Sequence, residues 1–231
     1  MPLKDGSLKS LVVNRVDLRH PDQQVALEIE HVGEQVFRQM LQTLRYITAI
    51  HDLIHRNIKP ENILFDMKRD TTGQLAYHFT LADFATKEDA MRIRKNGNEA
   101  FKAPETLLSW PNTTSKVDIW SLFATLVWLY DSTGFRDDLG GISAGVSGLT
   151  IHHWLTDVAE TNSRYQRVRK MARWDPDDRP SAEQLLASKA YEATEGEHVA
   201  APTDDRPYEV NLRMETIRMC ESTMRKYSRV G

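Results

Sequence analysis

The run from Ile119 to Tyr130, Ile-Trp-Ser-Leu-Phe-Ala-Thr-Leu-Val-Trp-Leu-Tyr, is apolar on every side of a helix drawn through it, with Ser121 and Thr125 as its only small polar interruptions. A helix with no face to offer water has to be buried. The run is about half of the ~20 residues needed to cross a bilayer, so it reads as a core helix rather than a membrane span. With 231 residues, of which 40% are apolar, the chain has the material for a sizeable core around it.

Charge narrows the partners. The 30 basic and 33 acidic residues leave a net charge of −3, with no overall field to gather nucleic acid or an anionic membrane, so neither is expected as a partner. A single cysteine, Cys220, closes no internal disulfide, and the first residues lack the basic-then-apolar pattern of a signal peptide. An intracellular location, cytoplasmic or nuclear, is expected.

Periodicity places further elements. From about Val25 to Leu53, apolar residues at Val32, Val36, Phe37, Met40, Leu44, Ile47 and Ile50 recur every three or four positions, which predicts one long helix. Thr71-Thr72-Gly73 separates Ile63-Leu64-Phe65 from Tyr77-His78-Phe79 and predicts a hairpin. Further helices are expected over Val117–Tyr130, Ile151–Ala159, Arg164–Arg173 and Ser181–Lys189, the last with Pro180 at its start. The glycines between Leu139 and Gly148 fit no phosphate-binding spacing and read as a connection. Residues 1–191 form the expected domain, 192–210 an acidic and proline-containing linker, and 211–231 a helical tail through Met214, Ile217 and Met224.

Chemistry concentrates in His55-Arg56-Asn57-Ile58-Lys59-Pro60-Glu61-Asn62-Ile63-Leu64. Lys59 and Asn62 offer a cation and an amide oxygen at fixed offsets, a set that suits phosphate oxygens and a hard metal ion. Asn57 cannot accept a proton at neutral pH. An overlapping pattern, His51-Asp52-Leu53-Ile54-His55, sets two histidines four apart and suggests zinc, although Asp52 is shorter than the glutamate such hydrolytic sites use.

Five stretches in order carry a resemblance. They are the segment just quoted, Leu81-Ala82-Asp83-Phe84-Ala85, Ala103-Pro104-Glu105, Asp118-Ile119-Trp120-Ser121-Leu122 and Trp174-Asp175-Pro176-Asp177-Asp178-Arg179-Pro180. Together they resemble the protein kinase family, of the Ser/Thr type, from the start of the chain to about Tyr191. Met1 to Leu8 looks like the hinge and the start of the next helix. No glycine-rich loop, strand lysine or partner glutamate precedes the catalytic loop. The resemblance therefore implies a mainly α fold: a kinase-like C-terminal lobe with a short β-hairpin and without the N-terminal lobe.

The same resemblance assigns roles. Asn57 stands where the family has its proton-accepting aspartate, Lys59 where a lysine meets the terminal phosphate, and Asn62 and Asp83 where magnesium is held. Asn98 replaces a threonine that normally bonds the catalytic aspartate and lysine. His55, Arg56, Glu105, Asp118 and Arg179 match structural positions, Glu105 and Arg179 as a buried ion pair and Asp118 as the support of the catalytic-loop backbone. In the segment from Ala85 to Asn98, Thr86 is the only hydroxyl, which leaves little for a phosphorylation switch to act on. A pseudokinase acting through a protein partner or self-association is implied, with weak binding of ATP and magnesium; the alternative is an ATP-dependent Ser/Thr kinase fragment. Without the upper lobe, Leu3, Leu8, Ile63, Leu64 and Phe65 are expected to form an uncovered apolar patch.

Overall fold

In a computed structural model of the chain, the residues described are 4–16, 23–69, 75–85, 98–108, 113–131, 134–136 and 148–188. The expectations for Leu3, the Thr71-Thr72-Gly73 turn, the Thr86 segment, the Leu139–Ser147 glycines, the linker and the tail helix fall outside them. The chain divides into two compact units, Met1–Thr194 and Glu195–Gly231, and every described residue lies in the first.

The apolar run forms the helix named here α4, Lys116–Tyr130, in which every residue from Val117 to Leu129 is buried. Its serine and threonine hydroxyls are satisfied within the helix: Ser121 Oγ donates to the Val117 carbonyl at 3.0 Å and Thr125 Oγ1 to that of Ser121 at 2.8 Å. That local pairing is what lets them sit in an apolar core. At the far end the chain leaves through Asp131 at φ 47, and Arg136 donates to the Trp128 and Leu129 carbonyls that the helix leaves unpaired.

Ahead of it come β1 (Gly6–Ser7), α1 (Leu8–Val16), α2 (Gln23–His51), β2 (Ile63–Arg69), β3 (Leu75–Leu81) and the short α3 (Pro104–Leu107). After it come α5 (Gly148–Thr161) and α6 (Ala182–Leu186). Helix α2 packs on α4, α6 and β3. Its stripe is buried at Val32, Val36, Met40, Leu44 and Ile47, joined by Leu41, while Phe37 is half-buried. Ile50 departs from the expectation at 63% exposed, because burial along the helix ends one turn before the helix does.

The sheet is antiparallel in the order β1-β2-β3, with Gly6 opposite Phe65 and Phe65 opposite Phe79. Its β3 edge is closed by one side chain. Gln39 donates through Nε2 to the Tyr77 carbonyl at 2.9 Å and accepts the Phe79 N–H through Oε1 at 2.8 Å, making the pair of bonds that a neighbouring strand would make. On the other edge, Asp5 Oδ2 accepts the Met67 N–H at 2.7 Å and Lys4 pairs with Asp66.

That N-terminal strand corrects the expected apolar patch. Leu8, Ile63 and Phe65 are buried and Leu64 is half-buried, because β1 pairs with β2 and α1 packs against both. The approach is close enough that a Cβ on Gly6 would come within 2.9 Å of the Phe65 ring.

Two further expectations change. Arg164–Arg173 is not one helix but two short 3-10 turns, Ser163–Tyr165 and Arg169–Ala172. Asn162 caps the first by accepting the Arg164 N–H at 3.0 Å, and Tyr165 turns inward against Phe123. At α6, Pro180 lies one place earlier than expected. Ser181 is the N-cap, its hydroxyl accepting the Gln184 N–H while the Gln184 side chain accepts that of Ser181.

Gly33 on α2 is a point of close approach to α4, since a Cβ there would overlap the Tyr130 hydroxyl. Gly33→Ala gains about 1 kcal/mol of helix propensity but must push back a ring that is itself stacked under Arg164. The expected outcome is a net loss of roughly 1–3 kcal/mol in denaturant unfolding, recovered in part by Tyr130→Phe, which removes the nearest atom.

Candidate functional site

The loop that follows α2 is aimed by the first turn of α4. Asp118 is buried, and its two carboxylate oxygens accept the backbone N–H groups of His55 at 2.7 Å and Arg56 at 2.8 Å. These bonds fix the chain where Arg56 takes φ 64, a left-handed conformation that a long side chain seldom adopts. Burial pushes the Asp118 carboxyl up to about 6, against the two N–H bonds and the nearby Arg56 charge, which favour the ionised form.

His55 lies beneath the loop. Its Nδ1 accepts the Asn57 N–H at 3.2 Å, its ring packs 4.2 Å from that of Phe84, and its carbonyl accepts the Ala85 N–H. Burial lowers its pKa to about 3, so it is neutral. The zinc spacing is not realised on a helix: α2 ends at His51, Asp52 turns away at φ 50, and His51 packs on Tyr46 instead. No group of three His, Cys, Asp or Glu side chains suited to a metal occurs among the described residues.

Three predicted site residues meet. Asn57 Nδ2 donates to the Asp83 carbonyl at 3.0 Å and to Asp83 Oδ2 at 2.8 Å, and Asn62 Nδ2 donates to the Asn57 carbonyl at 2.8 Å and faces the same Oδ2 at 3.5 Å. Asp83 is exposed and left-handed at φ 62. Its Oδ1 and that of Asn62 accept no hydrogen bond among the described residues, so a carboxylate and an amide oxygen remain for a hard cation, which takes its other ligands from water and phosphate. Lys59, half-buried, has no ion-pair partner among the described residues. The Asn98 side chain lies outside them.

Glu105, in α3, and Arg179 form a fork: Nη1 donates to Oε1 at 2.6 Å and Nη2 to Oε2 at 2.8 Å, with the pair 0% and 1% exposed. Arg179 also donates to the carbonyls of Arg173, Lys116 and Trp174 and lies 5.0 Å over the Trp120 ring. Beside it is a residue the sequence pattern did not single out. His152 of α5 bonds through Nε2 to the Lys102 carbonyl at 2.5 Å, its ring meets Trp120 and Trp174, and burial lowers its pKa to about 4. A histidine between Ile151 and Leu155, on the apolar face of a helix, was the available signal.

A helical unit with a small antiparallel sheet, a loop hung on a core-helix carboxylate and a buried Glu-Arg fork behind it define a protein kinase-type architecture. The protein kinase domain model matches residues 4–190, and the chain belongs to the protein kinase family. It is 30% identical over 168 residues to the ovarian-specific serine/threonine-protein kinase Lok of Drosophila melanogaster, covering 69% of this chain and 34% of that one. It is 32% identical over 154 residues to the DNA damage response protein kinase DUN1 of Saccharomyces cerevisiae, covering 60% and 28%. A calcium/calmodulin-dependent protein kinase, cmkA of Emericella nidulans, is 28% identical over 163 residues, covering 68% and 38%. The chain thus spans well under two thirds of the length of each of these relatives. No helix among the described residues is long and apolar enough to cross a membrane.

Two measurements test the supports. Arg179→Ala leaves the Glu105 carboxylate buried and unpaired, which should cost roughly 3–5 kcal/mol and lower Tm by on the order of 10 °C. Replacing both partners with methionine should lose less, and a single variant as stable as the parent would show that the fork contributes nothing.

The second concerns pH. His55 and His152 have lowered folded pKa values, so their contribution is complete above 6.5 and is lost as pH falls toward 4 and 3. Asp118, raised to about 6, has the opposite sign: its contribution is complete below about 4 and is lost as pH rises through 6. His152→Gln keeps an N–H donor for Lys102 and removes one titration. The slope of stability against pH between 4 and 6.5 should then fall by about 1.4 kcal/mol per pH unit relative to the parent, read from urea unfolding at each pH.

Proposed function

We propose that this chain is a catalytically impaired kinase domain, a pseudokinase, whose role is to bind protein. One observation carries the reading: the side chain in the proton-accepting position is an amide, and its N–H donates to the Asp83 carboxylate. An amide cannot take the proton of a substrate hydroxyl, and positioned proton transfer is worth about a hundred- to ten-thousand-fold in rate. The Glu105-Arg179 fork and the Asp118 bonds remain, which supports selection for the shape rather than the chemistry. Lys59, Asn62 and Asp83 would hold phosphate and magnesium if nucleotide binds, and magnesium there would neutralise phosphate charge. The partner is a protein of another kind or a second copy of the chain.

The second reading is an ATP-dependent Ser/Thr protein kinase, of which this chain is a fragment. Lys59, Asn62 and Asp83, together with the kinase activities for which the relatives are named, favour it.

Transfer from radiolabelled ATP to Ser/Thr peptides and to the chain itself should stay at background with magnesium or manganese. Millimolar magnesium-ATP should raise Tm very little, because stabilisation follows RT ln(1 + [L]/Kd) and Kd is weak. Turnover in the range of about 1–100 per second typical of kinases would replace the first reading with the second. Light scattering of the full chain then separates self-association from a foreign partner by mass.

A further inference from the structure

Asp83 holds a backbone conformation it does not prefer, and in it the residue is bonded by the Asn57 side chain. Both protons of the Asn57 amide are committed to Asp83, one to its carbonyl and one to Oδ2. The Asn62 amide, fixed by the Asn57 carbonyl, turns an N–H toward the same Oδ2. One carboxylate oxygen therefore faces the positive ends of two amide dipoles, and the turn it belongs to carries Phe84 against His55 and Ala85 onto the His55 carbonyl.

Aspartate at position 57 would reverse this. It has no proton to donate at neutral pH and would place a second negative charge within hydrogen-bond distance of Asp83. Two carboxylates so close stay together only by sharing a proton or a cation. Asparagine satisfies Asp83 with neither, and draws off negative charge that a cation on Oδ1 would otherwise use.

We propose that Asn57 is a built-in substitute for a divalent cation: it holds Asp83 and the Phe84 turn in place without metal and lowers the affinity of the Asp83-Asn62 pair for magnesium. The inference deepens the pseudokinase reading, and rests on it for the assignment of Asn57 to the altered base position.

The test uses the full chain with manganese ion alone as the calorimetric probe, and melting in EDTA or in millimolar magnesium. The parent should melt at the same temperature in both. Asn57→Asp should melt below the parent in EDTA, recover with magnesium, and bind manganese roughly tenfold or more tightly than the parent. Should that variant fail to fold, Asn57→Ala removes the donor without adding charge. It should also melt below the parent in EDTA and bind manganese more tightly, because Oδ2 is released. Parent affinity for manganese equal to that of the variants, or variants that melt like the parent in EDTA, would overturn the proposal. Tight manganese binding by a parent that transfers no phosphate refutes this inference alone, whereas phosphoryl transfer by a parent that binds manganese weakly refutes the functional reading alone.

Discussion

The Asp118 carboxylate, buried at the start of α4, and the two backbone N–H groups it accepts connect the core to everything chemical in this molecule. A helix apolar on all sides can be wrapped in many ways. One charged group in its first turn, with two lone-pair directions to satisfy away from water, demands donors at a fixed place. The loop supplies them from consecutive residues, His55 and Arg56, and Arg56 takes a left-handed conformation in doing so. From there the order propagates: Asn62 caps the turn at Lys59, Ala82 bonds to Asn62, and Ala85 bonds to His55, so the loop and the strand exit are fixed to one another.

Glu105 and Arg179 do the same where Arg179 meets α4 at Lys116 and Trp120. Desolvating two charges costs several kcal/mol per ion, and a single bond would not offset it. Arg179 meets the carboxylate with both terminal nitrogens, donates to three carbonyls and covers Trp120, so its donors are paired and its plane is packed. His152 completes the arrangement as a neutral ring, holding the Lys102 carbonyl immediately before Ala103-Pro104-Glu105. Both supports act on backbone, and the Asp118 bonds fix the loop's path without using the side chains at its tip.

On the proposed reading, the change at that tip is small in volume and large in chemistry. An amide and a carboxylate are nearly isosteric, yet the amide donates where the carboxylate would repel. The bonds from Asn57 and Asn62 to Asp83 place the altered residue inside the network rather than beside it. On the proposed reading, loss of the proton acceptor and the pairing of Asp83 are two effects of the one amide, separable by experiment because one would govern transfer and the other cation affinity.

Sequence alone determined the core helix, the long amphipathic helix, the hairpin and the ordered motifs, because each rests on local periodicity or on residues adjacent in the chain. It also anticipated the pairing of Glu105 with Arg179 through resemblance, though not the three carbonyls that complete it. Tertiary structure decided the rest. Leu8, Ile63 and Phe65 are covered because Gly6 and Ser7 pair with β2, an interaction between residues nearly sixty positions apart that no local pattern records. Gln39 reads as one more polar position on a helix until β3 lies beside it. Arg164–Arg173 has helical composition, but Asn162 and the inward turn of Tyr165 divide it into shorter turns. The contact between Asn57 and Asp83 was equally hidden, since the order of the motifs places both residues in a site while only the folded backbone sets their distance and decides which atoms face each other.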